Sequence, residues 1–465
     1  MQHIMPVLIL TRGVTLLTLA LSYMLYSFFS LPLDLFLVSL VVLAFIISLP
    51  WMANFPKIMS GALLIFGNLI FFIYNGTGEY WVDSILNNVA LVSLFITVPL
   101  LSYPLKNGGY IEYMDYFVVN FLKKDMKKIA FVTAITCIVS SFLNLGSLRV
   151  MYDLFSVRFK YLNKVFVRSL VQGFSLAAFW SPYFAGVAII LHLVGVSFVS
   201  FFGYGFMMVI ICYLTSVAIN LRYLSKEVTT NTAPYVAVSI DEDGSKEQTK
   251  KVEHKRGIEL IIAFIGLFLA LFFLEKWLHH YNVLLLISIL AISYSILWSL
   301  AIKKIKEYAF SLKDYFTEVA PNVHTESVMI ISATFFSQMV LLTEFPAYFS
   351  SLFSSISEIS LILTVITIIL TCVISSFFIH QVLPISIFAT TLSPDIIGLK
   401  PELYVLILVI SWGITPLLSP VSAANLLASA LFKTKPFEIG IWNIKYAFSI
   451  ILVSSISIYL INMLF

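Results

Sequence analysis

The chain has 465 residues, of which 60% are hydrophobic and 11% charged, and its mean hydropathy is +0.99. A soluble domain carries about 25% charged residues, so this composition excludes a soluble globular protein and points to an all-α polytopic membrane protein held in a lipid bilayer. The net charge of +4 is no nucleic-acid footprint, because the basic residues sit in loops, where they set orientation.

Apolar stretches of the roughly 20 residues that a bilayer crossing needs fall at 6–29, 35–52, 56–75 and 83–103. The first runs on to Phe29 without a small-residue cleavage site, so it reads as a transmembrane helix rather than a signal peptide. Residues 104–128 mix Lys106, Lys123, Lys124, Lys127 and Lys128 with Tyr110, Tyr113, Tyr116 and Phe117, the pattern of an amphipathic helix lying in the interface. The segment 129–148 is apolar but interrupted at Ser140, Ser141, Asn144, Gly146 and Ser147, and the basic residues Arg149, Arg158, Lys160, Lys164 and Arg168 follow. Spans at 169–197 and 199–221 complete a first half. Residues 222–256, with Asp241-Glu242-Asp243 and Lys250-Lys251, cannot bury a core and read as a hydrophilic linker. A second half then runs through 257–275, 282–302 and 325–343, a base-free stretch from Glu344 to Glu358, an interrupted segment 359–392, a broken span 402–432 and a last span 443–464. The three cysteines, Cys137, Cys212 and Cys372, lie within apolar segments and read as small core residues.

The interruptions organise the chain. Thr415-Pro416-Leu417-Leu418-Ser419-Pro420 places two prolines four residues apart, which no regular helix continues through. Backbone groups freed at membrane depth must face protein or a wet cavity, since lipid cannot satisfy them. Ser181-Pro182 is the same punctuation 238 residues earlier, and Thr136–Leu143 matches Thr371–Phe378 at an offset of 235, with five of eight positions identical. Two interrupted sites in the same order at nearly one offset indicate an internal repeat. With the basic linker placed inside, 104–128 also falls inside and Glu344 to Glu358 outside, as two inverted-topology repeats require. The expected fold is therefore about 11 transmembrane helices plus two re-entrant hairpins. It divides into an N-terminal helix (1–34), a first repeat (35–221), a cytoplasmic linker (222–256) and a second repeat (257–465), with the N-terminus cytoplasmic and the C-terminus extracytoplasmic.

Discontinuous helices meeting at the midplane are how many secondary transporters build a binding site. The candidate substrate- or ion-binding residues are Ser140, Ser141 and Asn144 at the first tip and Ser181 at the first break. Ser375, Ser376 and His380 are the candidates at the second tip, and Ser419, Ser422 and Asn425 at the second break. Each has a plainer reading. Serine and asparagine bond local backbone at any helix end, prolines also serve simple kinking, and an interfacial histidine is more often a hydrogen-bonding group than a proton carrier. Arg149 is either a carboxylate ligand near the first tip or a side chain reaching to the headgroups. His279-His280 lacks metal-ligand companions, and no catalytic constellation is present, so no enzyme activity and no metal site are expected. The alternatives to a transporter are an intramembrane enzyme of the polysaccharide polymerase or ligase type, which would need a large polar outside loop, and a non-transporting membrane scaffold.

The residues Thr415-Pro416-x-x-Ser419-Pro420-x-Ser422-Ala423-Ala424-Asn425-Leu426-Leu427, followed by Pro436-Phe437 and Trp442-x-x-Lys445-Tyr446, resemble the second-repeat signature of the ion transporter superfamily. That group includes arsenite permease-like, citrate–metal and divalent-anion/sodium transporters, and Phe142-x-Asn144-x-Gly146 is similar to its first hairpin tip. The resemblance implies a small-molecule or inorganic anion bound between two hairpin tips and two broken helices in the cell (plasma or inner) membrane. It also implies an elevator-type movement coupled to sodium or protons. No cofactor is expected beyond a sodium ion as candidate coupling ion, and a second copy of the chain, in a homodimer, is the one protein partner suggested.

Overall fold

The computed structural model describes residues 4–122, 124–156, 159, 163–230 and 255–464, and every described regular element is helical. Helix α1 (Ile4–Phe29) precedes α2 (Asp34–Ser48), α3 (Asn54–Ile73) and α4 (Gly78–Thr97). A 3-10 turn at Val98–Leu101 carries α4 into α5 (Ser102–Asn107), where Pro99 and Pro104 withdraw two backbone donors from the helix. Next come α6 (Tyr110–Phe121), the pair α7 (Asp125–Leu143) and α8 (Gly146–Phe155), the pair α9 (Asn163–Ala177) and α10 (Ala185–Val194), and α11 (Phe198–Thr230). The rest of the chain ends, like the first part, on two pairs of helices and a long helix. It contains α12 (Lys255–Trp277), α13 (Val283–Ala301), α14 (Ile305–Asp314), turns at Tyr315–Val323, α15 (His324–Val340) and α16 (Phe345–Ile359). The pairs α17 (Leu361–Ser375) with α18 (Val382–Thr391) and α19 (Pro401–Leu418) with α20 (Ala423–Phe432) follow, and α21 (Pro436–Leu464) is last.

The starts of these helices are written locally. Thr77, Asn282, Ser360 and Ser422 precede α4, α13, α17 and α20, and each accepts a first-turn N–H with its side chain. Ten helices among the described residues are long and apolar enough to cross a membrane, or eleven if the pair bent by 86° at Leu341–Glu344 counts as one span. Their outer faces carry the exposed Leu35, Phe72 and Ile262, as helices bathed in lipid do.

Two boundaries differ from expectation. The stretch 104–128 is not one interfacial helix. Residues up to Asn107 finish the preceding span, α6 stands alone, and Asp125 already opens the next helix. The linker is also shorter than 222–256, because α11 runs to Thr230 and α12 begins at Lys255. A helix satisfies its own backbone wherever it lies, so polar residues can extend it beyond the apolar span. Residues 231–254, with the acidic run Asp241-Glu242-Asp243, lie outside the described residues.

The helices pack as two groups. In one, α3 packs on α15, and α4 packs on α1, α2 and α13. In the other, α7 packs on α9, α17 on α19, and α21 on both α19 and α11. The groups meet where α18 lies on α15 and where α10 lies on α4 and α13. Within the second group, hydrogen bonds join helices from the two parts of the chain. Ser175 on α9 donates to the Gly413 carbonyl on α19 (2.6 Å, 238 residues apart), and Tyr446 on α21 donates to the Cys212 carbonyl on α11 (3.1 Å, 234 apart).

Candidate functional site

Each break begins with a serine that leaves its helix and holds the tip of the hairpin in its own half. Ser181 is fully buried, and its Oγ donates to the Ser141 carbonyl at 2.9 Å. Ser419 is also fully buried and donates to the Ser376 carbonyl, likewise at 2.9 Å. The proline that follows each serine has no N–H with which to continue the helix. At the second break the chain resumes under a local cap. Ser422 Oγ accepts the Asn425 N–H (3.2 Å), while Asn425 Nδ2 donates to the Ser419 carbonyl at 2.9 Å.

The two tips are built differently. The first reverses at Asn144, which holds φ 47° and ψ −130°, a conformation that glycine adopts far more readily than asparagine. Its N–H reaches the Ser140 carbonyl (3.1 Å), Ser147 Oγ donates to its carbonyl (2.6 Å), and its Nδ2 points to the Tyr183 carbonyl at 3.4 Å. The second tip takes the longer path Ser376–Gln381. There His380 Nδ1 accepts the Val382 N–H (3.3 Å) at the start of α18, so the neutral ring carries its proton on Nε2. The His380 N–H rests on Met59 Sδ at 3.4 Å, which ties this tip to α3.

Both tips and both breaks border one cavity of about 570 Å³. Of the residues expected at the site, Asn144, Ser376, His380, Ser419 and Ser422 line it. Ser140, Ser141, Ser181, Ser375 and Asn425 do not. Ser141 donates to the Cys137 carbonyl and Ser140 pairs with Ser147, so these hydroxyls serve the helix and the turn behind the wall. Asn425 is fully buried, with Oδ1 unpartnered, and acts from behind by holding the Ser419 carbonyl. Arg149 is no part of the wall either. It is exposed and pairs with Asp153 at 3.0 Å, one helical turn on, where a helix readily brings opposite charges together. Among the described residues no group of three or more His, Cys, Asp or Glu is placed to hold a metal ion.

The wall also holds residues that sequence reasoning missed. Lys106, read as interfacial, and Glu326, at the start of α15, both line the cavity and are exposed. Neither has an ion-pair partner among the described residues, and Lys106 Nζ lies 5.7 Å from the centre of the Tyr103 ring. Gln381 is beside them with Oε1 buried and unpartnered. The signal that could have found the two charges is their position just past proline breaks, Pro104 for Lys106 and Pro321 for Glu326. Trp412 borders the cavity, whereas Trp180 stacks on Phe268 at 4.8 Å outside it.

The backbone adds its own field. Gly146, Ala185, Gln381 and Ala423, at the N-terminal ends of α8, α10, α18 and α20, all border the cavity. Helix N-termini present unpaired N–H groups and the positive end of the helix dipole, so four of them around one space favour a negative group there.

This is a polytopic fold that a membrane transporter also uses. The structure of Neisseria gonorrhoeae MtrF, presented as illuminating a class of antimetabolite efflux pumps, resembles it with a TM-score of 0.59, over 88% of this chain and 96% of that chain, at 14% sequence identity. No protein-family model matches the chain, and no curated protein does.

Proposed function

We propose that this protein is a secondary active transporter that carries a small solute bearing an anionic group across the cell membrane, with sodium or a proton as coupling ion. The observation that carries the reading is the single cavity onto which both hairpin tips and both helix breaks converge. A polar interruption at membrane depth is tolerated only where it is buried in protein or lines a cavity, and this chain concentrates four such interruptions on one space. The four half-helix N-termini and Lys106 supply the positive field for the anionic group. The likeness to an efflux pump at the level of fold supports transport in general. The division of helices into two groups that meet around the cavity supports an elevator-type movement of the hairpin group against the other, and the matching order of elements supports two inverted repeats.

The test is side-specific labelling in proteoliposomes of known orientation. A Cβ added at Gly146 meets no atom within 4 Å, so Gly146→Cys places a thiol on the cavity wall without collision. The native Cys137, Cys212 and Cys372 are buried and can be replaced by alanine or serine. Alternating access is expected to let an impermeant maleimide reach Gly146→Cys from either face, in proportions that shift with sodium or pH. Labelling from one face only, under every condition, overturns the reading.

A further inference from the structure

The cavity holds two opposite charges that do not neutralise each other. Lys106 and Glu326 both line it, and no ion pair joins them to each other or to another described residue. Most of the remaining wall is apolar and aromatic, with Phe142, Phe174, Phe184 and Trp412 facing the space. Two unpaired, opposite charges on an otherwise apolar wall are free to meet a ligand that brings a counter-charge to each.

We propose that the solute is a zwitterion with an apolar body, an amino acid or a small molecule of that type, whose carboxylate is taken at Lys106 and whose ammonium is taken at Glu326. The proposal rests on the transport reading above and names its substrate class. The alternatives each leave a charge opposed. A simple anion would satisfy Lys106 and the helix N-termini but would bring a second negative charge to Glu326. A simple cation would satisfy Glu326 but would meet Lys106 and four positive helix ends. Mismatched charges of this kind are how a site rejects the wrong ligand. A zwitterion satisfies both walls at once, and its aromatic or aliphatic body fills the space between them. A volume of about 570 Å³ falls within the ordinary range of small-molecule sites, roughly 300–1,000 Å³.

The experiment uses the purified full-length protein in nanodiscs and three probes that share one ring: L-phenylalanine, 3-phenylpropionate and 2-phenylethylamine. Thermal stabilisation and calorimetry are expected to show phenylalanine binding at least about tenfold more tightly than either single-charge probe, a gap of about 1.4 kcal/mol. Glu326→Gln is expected to remove that preference, with phenylpropionate binding as well as phenylalanine. Lys106→Gln is expected to weaken phenylalanine and phenylpropionate while phenylethylamine binds at least as tightly as before. Gel filtration checks that each variant is folded, and the Lys106→Gln and Glu326→Gln variants control each other, since each should keep or improve the binding of one probe. Phenylpropionate binding as tightly as phenylalanine to the unaltered protein, an unchanged preference in Glu326→Gln, or no binding of any probe overturns the proposal. The labelling of Gly146→Cys reads movement without any solute. Failure of the zwitterion and failure of transport are thus separate results.

Discussion

The two hairpin tips follow helix ends of similar sequence and differ in how they are covered. In the first, Phe142 is buried, stacks on Phe264 at 4.5 Å and on Tyr183 at 5.6 Å, and meets Phe268 edge-on at 6.0 Å. Tyr183 in turn donates to the Leu267 carbonyl at 3.2 Å, so α12 holds both the tip and the break of the first half. At the matching place in the second tip, Phe377 is half-buried and Phe378 is 74% exposed, and neither has an aromatic neighbour among the described residues. The serine that clamps each tip makes the same 2.9 Å bond in both halves. The clamp is common to both halves, whereas the covering belongs to one. The first tip is therefore the more closely packed wall of the cavity and the second the more exposed one.

The sharpest way to break this contrast is to remove the two matched phenylalanines. Phe142→Ala should cost about 3–5 kcal/mol, as large aromatic truncations in packed cores do, whereas Phe377→Ala should cost about 1 kcal/mol, for half of a side chain's burial. Thermal unfolding in one detergent measures both, and equal losses would erase the distinction between the tips.

A second comparison uses glycines. A Cβ at Gly413 would stand 2.3 Å from Phe179 Cε1 and 2.9 Å from the Ser175 carbonyl, while one at Gly146 has open space. Gly413→Ala should therefore destabilise by about 1–3 kcal/mol through overpacking, and Gly146→Ala should stay within about 0.5 kcal/mol. The yield of monodisperse protein after solubilisation reports the difference.

The serine clamps are expected to have smaller, equal effects on stability. Ser181→Ala and Ser419→Ala each leave a buried carbonyl short of a donor, at about 1 kcal/mol. Only Ser419 borders the cavity, so only Ser419→Ala should also weaken solute binding. Asn425→Ala should resemble Ser181→Ala, with lower stability and little direct effect on binding, because its Nδ2 acts on the Ser419 carbonyl from behind the wall.

A change of the opposite sign is expected at Asn144. Relieving its backbone with Asn144→Gly should stabilise the protein by about 0.5–1 kcal/mol and yet reduce uptake, because a side-chain amide on the cavity wall is lost. Destabilisation with uptake intact would mean that the amide serves the turn alone.

Much of the architecture was legible because its punctuation is local. Ser181-Pro182 and Ser419-Pro420 break helices wherever they occur, and Asn144 with Gly146 marks a chain reversal, so both interruptions in each half could be located without coordinates. Which hydroxyl meets the cavity was not legible. Ser141 and Ser376 make the same bond to the carbonyl four residues earlier, yet only Ser376 also borders the cavity, and the packing of a distant helix decides between them. Lys106 and Glu326 were hidden for a related reason. They lie 220 residues apart, each beside charged or polar neighbours that suggest a membrane surface, and only the turns at Val98–Leu101 and Tyr315–Val323 bring both to one wall.

The bond from Ser175 to the Gly413 carbonyl has a bearing on how such a chain can change over generations. The two residues lie 238 positions apart in the chain and face each other across α9 and α19. Two serines do not fit, because a side chain at 413 would press on Phe179 and on the Ser175 carbonyl. Two glycines fit but forgo the bond. The contact works only with a hydroxyl on one side and no side chain on the other, so a substitution at either position limits what the other can accept.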